Sequence, residues 1–65
     1  MTTYEQDMQV IKYAVAAYGF LIDGAHYPLG LLAHKIRNYY STDNKRNAEV
    51  VRVLTKYANV KVSLT

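Results

Sequence analysis

Cysteine is absent from this sequence, which contains only three glycines and one proline. Without cysteine, neither disulfide bonds nor a thiolate zinc site can stabilise a small fold. A chain of 65 residues buries only about 60% of its unfolded surface. We therefore expect a single domain over residues 1–65, with one small core whose stability comes from packing or from association.

Long apolar runs are also missing. The run at residues 14–22 is interrupted by Gly19, and it falls short of the roughly 20 residues that a membrane-spanning helix needs. The first residues, MTTYEQD, are acidic and have no basic region, unlike a secretory signal. We expect no membrane segment and, given the absence of cysteine, a cytoplasmic location.

Patterns typical of enzymes are missing too. The sequence has no glycine-rich phosphate loop, no nucleophile beside a base and no paired carboxylates. Asp23, His26 and His34 could be imagined as metal ligands, but structural zinc sites use closer paired spacings and usually cysteine. A helix cap or surface position explains these histidines better. We expect a non-enzymatic protein with no metal or other cofactor.

Charge is divided unevenly along the chain, which has a formal net charge of +3 and an isoelectric point near 9.3. Residues 1–30 contain one lysine and three carboxylates, a net charge of −2. Residues 31–65 contain seven cations and two carboxylates, a net charge of +5. A basic second half suits phosphate backbones, anionic lipid or an acidic protein surface, or it serves only solubility.

A first amphipathic helix is predicted to begin near Tyr4. Thr2 with Glu5, or Thr3 with Gln6, forms a capping box, in which side chain and backbone cap each other. The apolar residues that follow are spaced by four and three, as on one helical face. They are Tyr4, Met8, Ile11, Val15, Tyr18 and Ile22.

Two endings of this helix are open. It either stops near Gly19, leaving residues 20–22 extended before a turn at residues 23–24, or it continues to a cap at Gly24. Its apolar stripe is expected to pack within the chain. A coiled-coil homodimer through the same stripe is the alternative.

Two more helices are predicted in the second half. Pro28 suits the first position of a helix that runs to Tyr40. The polar residues 41–44 should end that helix and cap a third one within residues 42–57. The apolar face of the second helix is predicted to comprise Leu29, Leu32, Ala33, Ile36 and Tyr40. That of the third comprises Ala48, Val50, Val51, Leu54, Tyr57 and Ala58.

The last residues change to a period of two, as in a half-buried strand, with Val60, Val62 and Leu64 alternating with Lys61 and Ser63. A lone strand leaves backbone groups unpaired. We therefore expect it to pair with residues 20–22 or with a second copy of the chain. The predicted fold is mainly α: a three-helix, helix-turn-helix-like bundle with a short C-terminal β-strand.

The third helix begins with cations, although a helix N-terminus favours negative charge. A short turn before it produces the layout of a helix-turn-helix, whose later helix enters a groove of nucleic acid. Alternatively, this is a solvated face in which Glu49 pairs with Lys45 or Arg52. The candidate binding residues are Lys35, Arg37, Tyr39, Asn44, Lys45, Arg46, Asn47, Arg52 and Lys56.

Seven tyrosines supply most of the aromatic side chains. By its helical phase Tyr40 should be in the core, and Tyr39 and Tyr27 should be exposed. Exposed rings beside cations can stack on unpaired bases. They are also frequent anchors in protein interfaces, which is the interpretation that we favour here.

The segments YPLGLLAHKIRNYY and NKRNAEVVRVLTKYANVKVSL resemble winged-helix modules, in particular the LOTUS (OST-HTH) type. The matching residues are Pro28-Leu29, Val53-Leu54 and Val60 to Leu64, and the resemblance covers residues 10–64. It implies binding to nucleic acid or to a protein partner, without catalysis. Because one strand follows the last helix, the hairpin wing is absent or completed from elsewhere. In size and style the chain also resembles small regulators and host-directed inhibitors encoded by bacteriophages.

Two functions remain open at this point. The first is a helix-turn-helix-like nucleic-acid binder or transcriptional regulator that uses the basic surface of the second and third helices. The second is a protein-binding modulator or inhibitor of the bacteriophage type, whose target is an acidic or nucleic-acid-binding host protein. A homodimer through the first helix or the terminal strand is compatible with both.

Overall fold

The computed structural model describes residues 3–63, and this part of the chain forms three helices and two short strands. A single 3₁₀ turn, Gly19–Leu21, follows the first helix. The mainly α fold with a C-terminal strand, as predicted from the sequence, is confirmed. In chain order the elements are α1 (Tyr4–Tyr18), β1 (His26–Pro28), α2 (Leu29–Tyr39), α3 (Lys45–Lys56) and β2 (Lys61–Ser63).

Helix α1 begins where the capping box predicts. The Thr3 hydroxyl accepts a hydrogen bond from the Gln6 backbone N–H at 3.1 Å, and the Thr3 N–H donates to the Gln6 side chain at 2.9 Å. These two bonds satisfy polar groups that a helix start otherwise leaves open. The alternative cap with Thr2 falls on a residue outside the described part of the chain.

The buried stripe of α1 differs from the predicted one. Its buried residues are Asp7, Ile11, Ala14 and Tyr18. Of the predicted stripe, Tyr4 is 67% exposed, whereas Met8 and Val15 are partly buried against the core. The stripe is therefore right at Ile11 and Tyr18. It is wrong at Tyr4, which is exposed. The first buried side chain of α1 is instead the carboxylate of Asp7.

The helix ends before Gly19, and residues 20–22 do not form a strand. The Gly19 N–H bonds to the Val15 carbonyl as the cap of α1. The turn that follows uses Gly24 at a φ of 137°, a conformation that costs glycine little because it has no Cβ.

The partner predicted for the terminal strand is wrong. Strand β2 pairs antiparallel with β1, in the register His26 with Ser63, Tyr27 with Val62 and Pro28 with Lys61. The pairing continues into α2, where the Leu29 N–H bonds to the Val60 carbonyl at 2.8 Å. Because β1 is three residues long and ends in proline, it is too short to show the alternating pattern from which a strand is predicted. Strand β2 thus needs no second copy of the chain, and Leu64 lies outside the described residues.

Helix α2 packs against α3 and supplies much of the core. Its buried residues are Leu29, Leu32, Ala33 and Ile36, as predicted. Pro28 precedes the helix as its N-cap instead of occupying the first helical position. Tyr40 was predicted in the core but is 37% exposed, with its ring edge against Tyr18 at 5.3 Å between centroids.

The buried face of α3 is wider than predicted. Its buried residues are Val50, Val51, Val53 and Leu54, whereas Ala48 is exposed. Tyr57 and Ala58, which follow the helix, are half-buried. Because α1 and α2 both pack against α3, the buried arc extends to Val53. Tyr27 also belongs to the core at 2% exposure, so the prediction that this ring is exposed is wrong.

Candidate nucleic-acid interface

Two asparagines anchor the start of α3. The Asn44 side-chain oxygen accepts hydrogen bonds from the backbone N–H groups of Arg46 at 2.9 Å and Asn47 at 3.2 Å. This is an N-cap, which satisfies two of the N–H groups that a helix start leaves free. The Asn47 side chain accepts from the Tyr18 hydroxyl and donates to the Ser41 carbonyl. Asn44 therefore stabilises the first turn of α3, whereas Asn47 attaches that turn to Tyr18 of α1 and to Ser41.

The outer face of α3 carries a row of charged side chains. Lys45, Glu49, Arg52 and Lys56 are exposed, and their spacing of four, three and four places them on one face over about 16 Å. Neither the pair of Glu49 with Lys45 nor that with Arg52, expected for a solvated face, forms among the described residues.

Arg37 of α2 extends this face. Its Nη2 donates a hydrogen bond to the Thr55 hydroxyl at 3.2 Å, and that hydroxyl donates to the Val51 carbonyl at 2.7 Å. Thr55 lies three residues after Arg52, close to one helical turn. The guanidinium of Arg37 is therefore held beside the row of cations on α3.

Lys35 and Tyr39 lie apart from this surface. Each residue turns a helix by about 100°, so the two-residue step from Lys35 to Arg37 leaves them about 160° apart, on nearly opposite sides of α2. Tyr39 follows Lys35 by four residues and shares its flank, where its ring is 65% exposed. The exposure predicted for Tyr39 is confirmed. Of the predicted binding residues on α2, Arg37 therefore faces the cations of α3, whereas Lys35 and Tyr39 lie on the other side of the helix.

Lys56 forms an ion pair with a buried carboxylate of α1. Its ammonium lies 2.9 Å from Oδ2 of Asp7, and the Tyr57 hydroxyl donates to the same oxygen at 2.9 Å. The Asp7 carboxylate is fully buried. Its hydrogen bonds raise the pKa of both Lys56 and Tyr57, because they stabilise the protonated forms. The rings of Tyr4 and Tyr57 form an edge-to-face pair, with their centroids 6.5 Å apart.

Asp7 was not among the predicted functional residues, although the sequence contains a signal for it. Asp7 precedes Ile11 by four residues and continues the buried row at positions 7, 11, 14 and 18. A carboxylate on the apolar face of a helix predicts a buried partner, because an unpaired buried charge is costly. The partner itself, Lys56, lies 49 residues away, and no local pattern indicates it.

A groove separates the start of α3 from the middle of α1. The guanidinium carbon of Arg46 lies 5.1 Å from the ring centroid of Tyr13, a cation–π contact. Tyr13 is 39% exposed, and its ring edge contacts Tyr18. The groove has a volume of about 680 Å³ and is lined by Gln9, Val10, Tyr13, Lys45, Arg46, Glu49 and Val50. The α1 side of this groove was not predicted.

Burial also affects two tyrosines. It is the main cause of the raised pKa of Tyr18, to which the neighbouring Tyr13 adds. Burial alone raises the pKa of Tyr27. The Tyr27 hydroxyl is buried and has no hydrogen-bond partner in the described part of the chain.

The structure does not bring Asp23, His26 and His34 together as a group of metal ligands. No group of three potential metal-binding side chains occurs among residues 3–63. The His34 ring is hydrogen-bonded to the Asn38 amide at 3.2 Å, and His26 is exposed on β1.

No family model, no curated protein and no solved structure matches this chain. The resemblance to winged-helix modules therefore stays a prediction. In the part of the chain that the structure describes, no helix has the length and apolar character needed to cross a membrane. Any functional assignment must come from the charges and contacts described above.

Proposed function

We propose that the protein binds nucleic acid, with the exposed face of α3 against the phosphate backbone. The observation that carries this proposal is the set of cations gathered around that face. Lys45, Arg46 and Arg52 lie along α3, and Arg37 is held beside them through Thr55. A polyanion that lies along α3 can contact Lys45 and Arg52, which share one face, with Arg46 on one flank and Arg37, bonded to Thr55, on the other. Binding releases the counterions that the polyanion had condensed, which drives association with DNA.

The state of these cations supports a polyanionic ligand. Among the described residues, none of Lys45, Arg46 and Arg52 has a carboxylate within ion-pair distance. Cations near a helix N-terminus cost roughly 0.3–1 kcal/mol each, and like charges on one helix face repel each other. A bound phosphate would relieve both costs.

The geometry of the two asparagines favours backbone contacts over base readout. Asn44 and Asn47 are the amides best suited to pair with adenine, but their side chains are held in the cap and in contacts with Tyr18 and Ser41. Binding should therefore depend little on base sequence in a duplex. The role we propose is a small cytoplasmic regulator of the helix-turn-helix type, in the style of those encoded by bacteriophages.

The test is fluorescence anisotropy with labelled DNA across a salt series. Replacing Lys45 and Arg52 by Gln should weaken binding at least about ten-fold and lower the salt slope by about two, the expected loss of two phosphate contacts. The matched control replaces the exposed cations Lys12 and Lys61 by Gln, which changes the net charge equally. An equal loss in both double variants would refute the α3 face as the binding surface.

One observation favours the alternative of a protein-binding modulator. Tyr39 is exposed beside Lys35 on the flank of α2 that lies away from Arg37, and exposed tyrosine is a frequent anchor in protein interfaces. This alternative predicts negligible affinity for DNA at about 0.15 M salt. It also predicts that one acidic protein is recovered with the wild-type chain and lost with Tyr39→Ala.

A further inference from the structure

The groove between α1 and α3 combines an apolar floor with a polar rim. Val50 is buried and Val10 half-buried, whereas Gln9 and Glu49 are exposed at the edge. The ring of Tyr13 forms part of the wall. A volume of about 680 Å³ lies within the range of about 300–1,000 Å³ typical of small-ligand sites. The groove can therefore take a flat group with apolar faces and polar edges.

Cations stand at the same groove. Lys45 and Arg46 both line it, and the guanidinium carbon of Arg46 lies 5.1 Å from the centroid of the Tyr13 ring. In the described residues, neither has a carboxylate at ion-pair distance. A ligand that places a flat ring in the groove and a phosphate beside it would satisfy both features, since aromatic side chains interleaved with cations are typical of single-strand binding sites.

We infer that this groove accepts one unstacked nucleobase of a single-stranded nucleic acid, with the adjacent phosphate on Lys45 and Arg46. The inference rests on the proposed function and specifies its ligand. A paired base cannot enter, because it would first have to leave the stack at a cost of a few kcal/mol. An acidic peptide would meet the carboxylate of Glu49 at the rim. An amino-bearing base could instead donate a hydrogen bond to that carboxylate.

The first test compares three probes of equal length: a single strand, its duplex and a single strand with abasic sites. The intact single strand should bind at least about ten-fold more tightly than the other two, because only it offers a free base for stacking. Tyr13→Leu should weaken single-strand binding about five- to a hundred-fold and leave duplex binding within about two-fold. Tyr13→Phe, which keeps the ring, should bind the single strand like the wild type.

A second measurement avoids any variant and so any loss of folding. In NMR titrations of the wild-type chain with a short single strand, signals of Gln9, Tyr13 and Arg46 should shift, while those of Lys12, on α1 outside the groove lining, should stay in place. Equal binding of the abasic strand, or an unchanged Tyr13 signal, would overturn the inference. So would displacement of the strand from these residues by a glutamate-rich peptide.

The two proposals fail in different ways. If no DNA probe binds, the proposed function is wrong, and the groove assignment falls with it. If DNA binds with a steep salt dependence that Lys45 and Arg52 control, but Tyr13→Leu has no effect, only the groove assignment is wrong.

Discussion

The ammonium of Lys56, at the end of α3, lies 2.9 Å from the fully buried carboxylate of Asp7 in α1. The two residues are 49 positions apart in the sequence, and their contact links α1 to α3. Burying a carboxylate is costly unless it is paired and hydrogen-bonded, and Lys56 together with Tyr57 meets this need. Because its ammonium is already paired with Asp7, Lys56 is not among the cations proposed to bind phosphate.

Breaking this pair should destabilise the fold. Asp7→Asn keeps the shape of the side chain but removes the charge, and we expect it to lower the free energy of unfolding by about 1–3 kcal/mol. Lys56→Gln should lower the urea midpoint because it leaves the buried carboxylate with one cation fewer.

Arg52→Gln is the matched control for Lys56→Gln, since Arg52 is exposed one turn earlier on the same face. Its unfolding free energy should stay within about 0.5 kcal/mol of the wild type. Equal midpoints for the two variants would show that the Lys56 contact contributes nothing to stability.

Stability should decrease at alkaline pH. The pKa values of Lys56 and Tyr57 are raised above their ordinary values of 10.5 and 10.0 by hydrogen bonds to Asp7. At a pH above those ordinary values, the unfolded chain has lost protons that the folded chain still holds. The folded state then binds more protons, so the free energy of unfolding falls as pH rises and the contribution is lost above the folded pKa values.

Urea titrations between about pH 8 and pH 11 measure this slope. Tyr57→Phe removes one of the groups and should give a shallower decline than the wild type. A wild-type stability that stays constant through this range, or an unchanged slope in Tyr57→Phe, would contradict the proposed linkage to Asp7.

Removing the hydroxyl of Tyr18 and removing that of Tyr27 should have opposite effects on the free energy of unfolding. The Tyr18 hydroxyl donates to Asn47, so Tyr18→Phe should cost about 0.5–1.5 kcal/mol. The Tyr27 hydroxyl is buried without a partner in residues 3–63. Tyr27→Phe removes an unsatisfied polar group, and we expect it to be neutral or to stabilise by up to about 1 kcal/mol.

Urea unfolding of the two variants provides the measurement, and each serves as the control for the other because both lose one hydroxyl from a buried ring. A loss of stability in Tyr27→Phe as large as that in Tyr18→Phe would mean that the Tyr27 hydroxyl has a partner.

The surface of α3 was predictable because its spacing is local. Lys45, Glu49, Arg52 and Lys56 follow one another at helical intervals, and the structure shows all four exposed. The separation of Lys35 from Arg37 was equally available from the helical period. The α1 side of the groove was not, because only the packing of α1 against α3 brings Tyr13 to Arg46.

The strands show the same division. Strand β2 was predicted from its alternation, but its partner was not, since His26, Tyr27 and Pro28 are too few to show a period. Tyr27 was expected on the surface, with Tyr39, as one of the exposed rings. In the fold it faces the core, where it lies among side chains from distant parts of the chain.

The sequence by itself determined the three helices, the presence of a capping box at the start of α1 and the exposed cations of α3. These features depend on contacts within about four residues, where helical geometry leaves little choice. Only the tertiary structure decided that Asp7 meets Lys56, that Tyr13 meets Arg46 and that β1 meets β2. Each of these pairs joins distant residues, and their meeting depends on how the whole core packs.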